Sequence, residues 1–293
     1  MLWPKDLSKR IKTKVNLRGL TTFKIGGPAQ YYFLPLDLTQ LQQALAAAKA
    51  AGVRVFILGS GSNVLVSDRG VRGLVIKLGG GNFNRIYQEG SCVIAASGLK
   101  LNQLIAFAAQ HNLSGAEFLA GIPGSLGGAI MGNAGAWGSC VGGLVRELGV
   151  LDYSGRPRLL KGRQLKFSYR KSNLDKYIIV WAKLKLRERN KKVITGKIKE
   201  YLLLRKDSQS NRLPNAGCIF KNPKGDFVGR LIESCQLKGR IKNGAVISTK
   251  HANFILNAQQ AKCRDVLFLM DLVQKKVKDK FKINLEPEIK IWE

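Results

Sequence analysis

Apolar positions recur at helical spacing three times along the chain. They do so over 39–51 (TQLQQALAAAKAA), over 101–113 at 101, 104, 105, 108 and 109, and over 261–281 at 266, 269, 270, 273, 277 and 281. Thr39 is placed to cap the first of these helices and Gly52 to end it. Around them, β-branched or alternating runs predict strands over 53–58, 64–67, 71–78, 92–96, 144–153 and 177–187, with Asp68-Arg69-Gly70 as a turn. The stretch 167–173 reads as irregular. Past Arg189 the character changes to a basic helix over 193–209, then a helix over 225–237, strands over 245–248 and 253–257, and a closing strand over 285–292. Helices and strands intermixed in this order, with no internal repeat, predict an α+β protein. The expected organisation is a larger domain over 1–190, with a lead-in at 1–22, followed by a smaller α+β domain over 191–293.

At 293 residues the chain is long enough for two or three modest domains. No apolar run approaches the roughly 20 residues of a membrane span, so no membrane insertion is expected. Residues 1–15 are Lys-rich and lack the apolar core of a secretory signal. The five cysteines are scattered and odd in number, which suits a reducing compartment; a cytoplasmic location is expected. The two histidines, His111 and His251, are far apart in sequence, and neither a metal site nor a Ser-His-Asp triad is expected. The charge changes the picture most. Lys and Arg number 49 against 19 acids, a net +30 with a pI near 10.2. That excess is spread along the chain, densest at 187–192, 197–206 and 275–282, without any recognisable nucleic-acid-binding motif. Specific nucleic-acid binding is not expected; a basic field instead concentrates anionic nucleotide substrates.

Seven of the eighteen residues from Gly121 to Gly138 (GIPGSLGGAIMGNAGAWG) are glycine, and none is charged. Glycine is costly in ordinary helix or strand. Such clustering suits a backbone lying against something large, flat and polar, such as a cofactor with a pyrophosphate and a ring system. Gly59–Asn63 (GSGSN) directly follows a strand and is built to turn backbone N–H groups toward an anion. It is neither a GxGxxG fingerprint nor a Walker loop, and alone it reads more simply as a tight turn. Arg170, after Tyr169, offers a planar fork suited to a carboxylate, or an ordinary surface ion pair. Cys218, after Gly217, is a small buried hydrophobe or, with an ordinary thiol pKa near ~8.5, a proton donor. Alternation from 285 places Glu288, Lys290 and Trp292 on one face, where Glu288 is an acid or an exposed strand residue.

Taken in order, these motifs resemble the bacterial UDP-N-acetylenolpyruvoylglucosamine reductase family. The matching segments are TTFKIGGPA (21–29), LGSGSNVLVSD (58–68), LSGAEFLAGIPGSLGGAIMGNAGAWG (113–138), FSYRKS (167–172), PNAGCIFKNP (214–223), GRLIESCQLKG (229–239), HANFILN (251–257) and LEPE (285–288). The resemblance implies an FAD-binding domain of the vanillyl-alcohol-oxidase (PCMH) type followed by a substrate domain. It implies that NADPH reduces FAD, which reduces UDP-N-acetylglucosamine enolpyruvate to UDP-N-acetylmuramate for peptidoglycan, with hydride to C3 and a proton to C2. Carried over residue by residue, Arg170 stabilises the enolate, Glu288 assists at the same carboxylate and Cys218 donates the proton, where the family usually has serine. Tyr169 and Asn222 are expected substrate contacts. The expected FAD contacts are Gly59, Ser60, Gly61, Ser62 and Asn63 on one segment, and Gly121, Ile122, Pro123, Gly124, Ser125, Gly128, Asn133 and Ala134 on the other. Gly132 stands where the family commonly has methionine. No inserted loop follows Arg170, so the chain resembles the shorter, second type of the family, and a monomer or weak oligomer is expected.

Overall fold

The computed structural model describes residues 3–209 and 213–293. Met1, Leu2 and 210–212, which belong to the expected lead-in and C-terminal domain, lie outside the described residues. The chain divides into two compact units, each assembled from separated stretches. The first comprises Met1–Thr13, Tyr31–Ser60 and Gly73–Arg205; the second comprises Lys14–Gln30, Gly61–Arg72 and Lys206–Glu293. This division interleaves in sequence instead of following a cut at residue 190. Most of the helix Lys191–Gln209 falls with the first unit because Ile198 and Tyr201 pack on that unit's core.

In the first unit an antiparallel five-stranded sheet runs in the spatial order Pro157–Lys161, Val145–Asp152, Tyr177–Lys185, Cys92–Ala96 and Ile86–Glu89. One core fills its inner face with Val93, Ala95, Leu148, Val150, Ala182 and Leu184, covered by Leu101, Leu104 and Ala108 of the helix Leu101–Gln110. These helix positions are those the apolar spacing singles out. A second core joins Phe33, Leu41, Ala44, Leu45 and Ala48 to Leu74 and Ile76. There Val55–Leu58 lies parallel to 74–77, which leaves Gly59 at the carboxyl end of a parallel strand. The helix packed here spans Leu38–Ala50 and is capped by Asp37, whose Oδ1 accepts from Gln40 N at 2.9 Å. Thr39 sits within the first turn instead, since a carboxylate two positions earlier meets the amide that a cap must reach. Gly52, at φ +65°, ends the helix as the sequence indicates.

The second unit carries an antiparallel sheet in the order Asn215–Cys218, Phe254–Asn257, Ala245–Ile247 and Ile241–Lys242. The helix Cys263–Phe281 covers it, burying Val266, Leu269, Met270, Val273 and Val277. Lys290–Trp292 pairs in parallel with Val64–Val66. Asp68 explains the last residue of the LVSD run. Its carboxylate accepts from the amides of Cys263 at 2.8 Å and Arg264 at 3.3 Å, so it caps the long helix from a segment about two hundred residues away in sequence. Burial, and after it the charges of Asp68 and Glu293, pushes the Cys263 thiol up to about 12, which makes it inert. Asp68→Ala is expected to cost about 1–2 kcal/mol, the range of a lost cap at a positive helix end, read from the shift in a urea unfolding midpoint.

Candidate active site

In the first unit the two glycine-rich segments meet. A Cβ built on Gly59 lies 2.3 Å from Ser125 Oγ, so only glycine at 59 permits this approach. Ser125 is buried and caps the short helix Leu126–Met131, accepting from Gly128 N at 3.4 Å. Several glycines here are explained by packing: a Cβ on Gly127 meets Ser97 Cβ at 2.8 Å, and one on Gly135 meets Ser139 O at 2.4 Å. Gly128 and Gly132 are different. Both have ordinary φ, and a Cβ there meets only Ser125 Oγ at 3.4 Å and Gly128 O at 3.6 Å, respectively. Gly121, Pro123 and Gly128 are exposed. Part of this bare backbone therefore faces outward for no reason internal to the fold.

The segment 167–173, irregular by sequence, is a two-residue hairpin: Phe167 pairs with Ser172 and Ser168 with Lys171, leaving Tyr169 and Arg170 at the tip. Docking onto the glycine-rich run holds this short ladder. Asn133 Nδ2 donates to Ser168 O at 2.8 Å, Asn133 Oδ1 accepts from Gly142 N at 3.0 Å, and Ser172 Oγ donates to Met131 O at 2.7 Å. Arg170 has φ +53°, uncommon for a residue with a side chain. Its Nη1 donates to Gly135 O at 3.0 Å, which anchors the guanidinium beside the bare backbone. Backbone strain held by surrounding contacts is characteristic of residues aimed for a purpose. Tyr169, by contrast, is exposed, with the Arg170 Cζ 5.7 Å from its ring centre.

In the second unit, three distant stretches converge. Glu288 N donates to Ile219 O at 2.7 Å, Lys221 N donates to Glu286 O at 2.9 Å, and Phe220 bridges Pro287. Cys218 and Glu288 thus lie on adjoining backbone segments. The expected alternation from 285 does not produce this, because the last strand begins only at Lys290. Pairing of 286–288 with 219–221 places Glu288 instead. Asn253, buried, fixes the stretch after Cys218: its Oδ1 accepts from Phe220 N at 3.0 Å and its Nδ2 donates to Phe220 O at 2.8 Å. Asn222 Oδ1 accepts from Val228 N at 3.0 Å, at the start of the helix Val228–Ser234. Of the GSGSN loop, Gly59 and Ser60 belong to the first unit and Gly61, Ser62 and Asn63 to the second. Gly61, at φ +67°, packs against Leu20 O, and Asn63 Nδ2 donates to Glu288 O at 3.1 Å.

Sequence reasoning passed over Asn253 and Thr22 as individual residues, although both lie in quoted motifs. Thr22 Oγ1 donates to Asn215 O at 2.8 Å and its N donates to Gly61 O at 3.0 Å. Only the contacts reveal such supporting roles. It also passed over Tyr201, whose ring stacks on Trp137 with centres 6.0 Å apart. His251 lies edge-on to Phe254, half-buried, and burial pulls its pKa down, which favours the neutral ring. His111 ends the helix Leu101–Gln110, two residues short of the expected 113, with its Nδ1 2.8 Å from Phe107 O.

Comparison with known proteins accounts for both units. Residues 29–158 match the FAD binding domain family, and residues 208–292 match the family described as UDP-N-acetylenolpyruvoylglucosamine reductase, C-terminal domain. The chain is similar to the UDP-N-acetylenolpyruvoylglucosamine reductase of Desulforamulus reducens, 42% identical over 277 residues, covering 94% of this chain and 91% of that one. It is also similar to UDP-N-acetylenolpyruvoylglucosamine reductase 2 of Symbiobacterium thermophilum, 41% identical over 285 residues, covering 97% and 92%. Among solved structures, the crystal structure of UDP-N-acetylenolpyruvylglucosamine reductase (MurB) from Thermus caldophilus matches with a TM-score of 0.84 and 35% identity, covering 97% of this chain and 99% of that one.

Proposed function

The chain belongs to the UDP-N-acetylenolpyruvoylglucosamine reductase family and is an FAD-dependent oxidoreductase; from that premise we propose that it reduces UDP-N-acetylglucosamine enolpyruvate to UDP-N-acetylmuramate with NADPH. The observation that carries the proposal is the grouping of Cys218 and Glu288 on adjoining segments, in a chain that also anchors Arg170 on its glycine-rich run. The residues present fit FAD. Gly128 is exposed and a Cβ there would meet only Ser125 Oγ at 3.4 Å, so its glycine leaves bare backbone on which a flat group can lie. Gly59, Ser60, Gly61 and Ser62, with Gly121, Ile122, Pro123, Gly124, Ser125, Gly128, Asn133 and Ala134, are the residues we assign to hold it. Bound there, FAD would supply the hydride chemistry that links NADPH to C3 of the enolpyruvyl double bond.

The chain's own residues handle the charge and the proton. Hydride arrival at C3 sends an electron pair through C2 into the carboxylate. Arg170 opposes the charge that develops there, with its fork matched to two oxygens. Glu288 is assigned to assist at the same carboxylate group. Cys218 gives its proton to C2 and recovers one from solvent. One NADPH and one proton are consumed per double bond reduced. Tyr169 and Asn222 are assigned to the bound nucleotide sugar. The net charge of +30 draws in a substrate that carries a diphosphate and a carboxylate. The reaction belongs to peptidoglycan precursor synthesis, and with it to cell-wall biogenesis, cell shape and division, in the cytoplasm. NADPH oxidation that depends on added UDP-N-acetylglucosamine enolpyruvate tests the proposal; oxidation at the same rate without that substrate refutes it.

Gly128→Leu separates cofactor binding from folding. The helix tolerates leucine, so apoprotein stability should stay level or rise by up to about 1 kcal/mol. FAD affinity should fall at least about tenfold, because the new side chain fills the space assigned to the flavin. Thermal unfolding of the apoprotein and a fluorescence titration with FAD measure the two effects.

A further inference from the structure

We infer that Asn63 is a positioning residue for Glu288, an inference that rests on the function proposed above. By sequence Asn63 belongs to the cofactor loop, yet its amide nitrogen is directed at the protein. Asn63 Nδ2 donates to the carbonyl of Glu288 at 3.1 Å, and the Asn63 carbonyl accepts from Lys290 N at 3.0 Å. Glu288 N is tied on its other side to Ile219 O at 2.7 Å. Both backbone groups of Glu288 are therefore held, one by the stretch that carries Cys218 and one by Asn63. A residue fixed at its N–H and its C=O has its Cα–Cβ direction fixed as well, which a carboxyl working on a developing charge requires.

Asn63 is itself anchored from two sides. Immediately after it, Val64–Val66 forms the parallel ladder with Lys290–Trp292. Just before it, Gly61 O accepts from Thr22 N at 3.0 Å, and Thr22 Oγ1 reaches Asn215 O at 2.8 Å on the strand leading to Cys218. Asn63 thus joins this frame to the carbonyl of Glu288 itself. The short polar side chain is what the geometry needs: alanine removes the donor, and aspartate sets an acceptor against an acceptor.

The test uses FAD-loaded protein with Asn63→Asp, which keeps the shape, and Asn63→Ala. Bleaching by NADPH should slow less in both variants than the step that uses Glu288. Transfer to the enolpyruvyl substrate should slow about tenfold. Amide exchange of residues 285–290 should quicken in the apoprotein while that of the helix Cys263–Phe281 does not. Adding Asn63→Asp to Glu288→Gln should slow transfer by less than about twofold further, because a residue acting through another has nothing left to position. Unchanged transfer in both variants, or full multiplication with Glu288→Gln, or quickened exchange across the whole unit, overturns the role. An unmodified protein whose bleached flavin the substrate does not reoxidise removes the function on which the role rests, and the exchange comparison still reads the anchor itself.

Discussion

Cys218→Ala should stop substrate reduction while sparing the first half of the reaction. NADPH should still bleach the loaded protein at close to the normal rate, because hydride arrives without any proton from position 218. Transfer to the enolpyruvyl substrate should then fall about 10³-fold, the middle of the range for a lost general acid. Cys218→Ser should keep most of the turnover, since a hydroxyl on the same backbone presents a proton from nearly the same point. Placement supports this: the stretch after Cys218 is clamped by Asn253 on one side and by the Glu288 segment on the other. Two-step stopped-flow records decide it. An alanine variant whose second step runs normally takes Cys218 out of the mechanism.

Arg170→Lys should lower the second step by about 10²–10³-fold, the cost of losing an electrostatic donor where charge develops. A lysine keeps the charge but not the planar fork, and cannot hold Gly135 O while presenting paired donors elsewhere. It must also adopt φ +53° at a hairpin tip. The rate should therefore fall far more than the stability. Measuring both matters here. A lysine variant with near-normal turnover denies Arg170 its role, and one that unfolds in parallel with its loss of rate makes the arginine a structural residue only.

The three long apolar helices were legible because each buries one face, and 3.6-residue spacing records that directly. Cap and strand ends were less so: Asp37, two positions before Thr39, is the cap, a choice made by local geometry. The hairpin at 167–172 left little pattern because its strands are two residues long and rest on Asn133 and Ser172 contacts with a segment some 35 to 41 residues earlier. Glu288 was legible as a residue and not as a position. Its backbone is held by Ile219 and Asn63, far off in sequence, and alternation from 285 carries no trace of either. The candidate chemistry was readable where residue type decides it, as with the fork of Arg170 and the thiol of Cys218. The supporting frame of Thr22, Asn63 and Asn253 was not, because amides and hydroxyls that bind backbone leave no periodicity.

One anaerobic measurement tests the central claim most directly. Protein loaded with FAD is bleached with one equivalent of NADPH and then mixed with UDP-N-acetylglucosamine enolpyruvate. The account predicts that the yellow colour returns in step with one equivalent of UDP-N-acetylmuramate. A protein that stays bleached until oxygen is admitted, and yields no UDP-N-acetylmuramate, would contradict it.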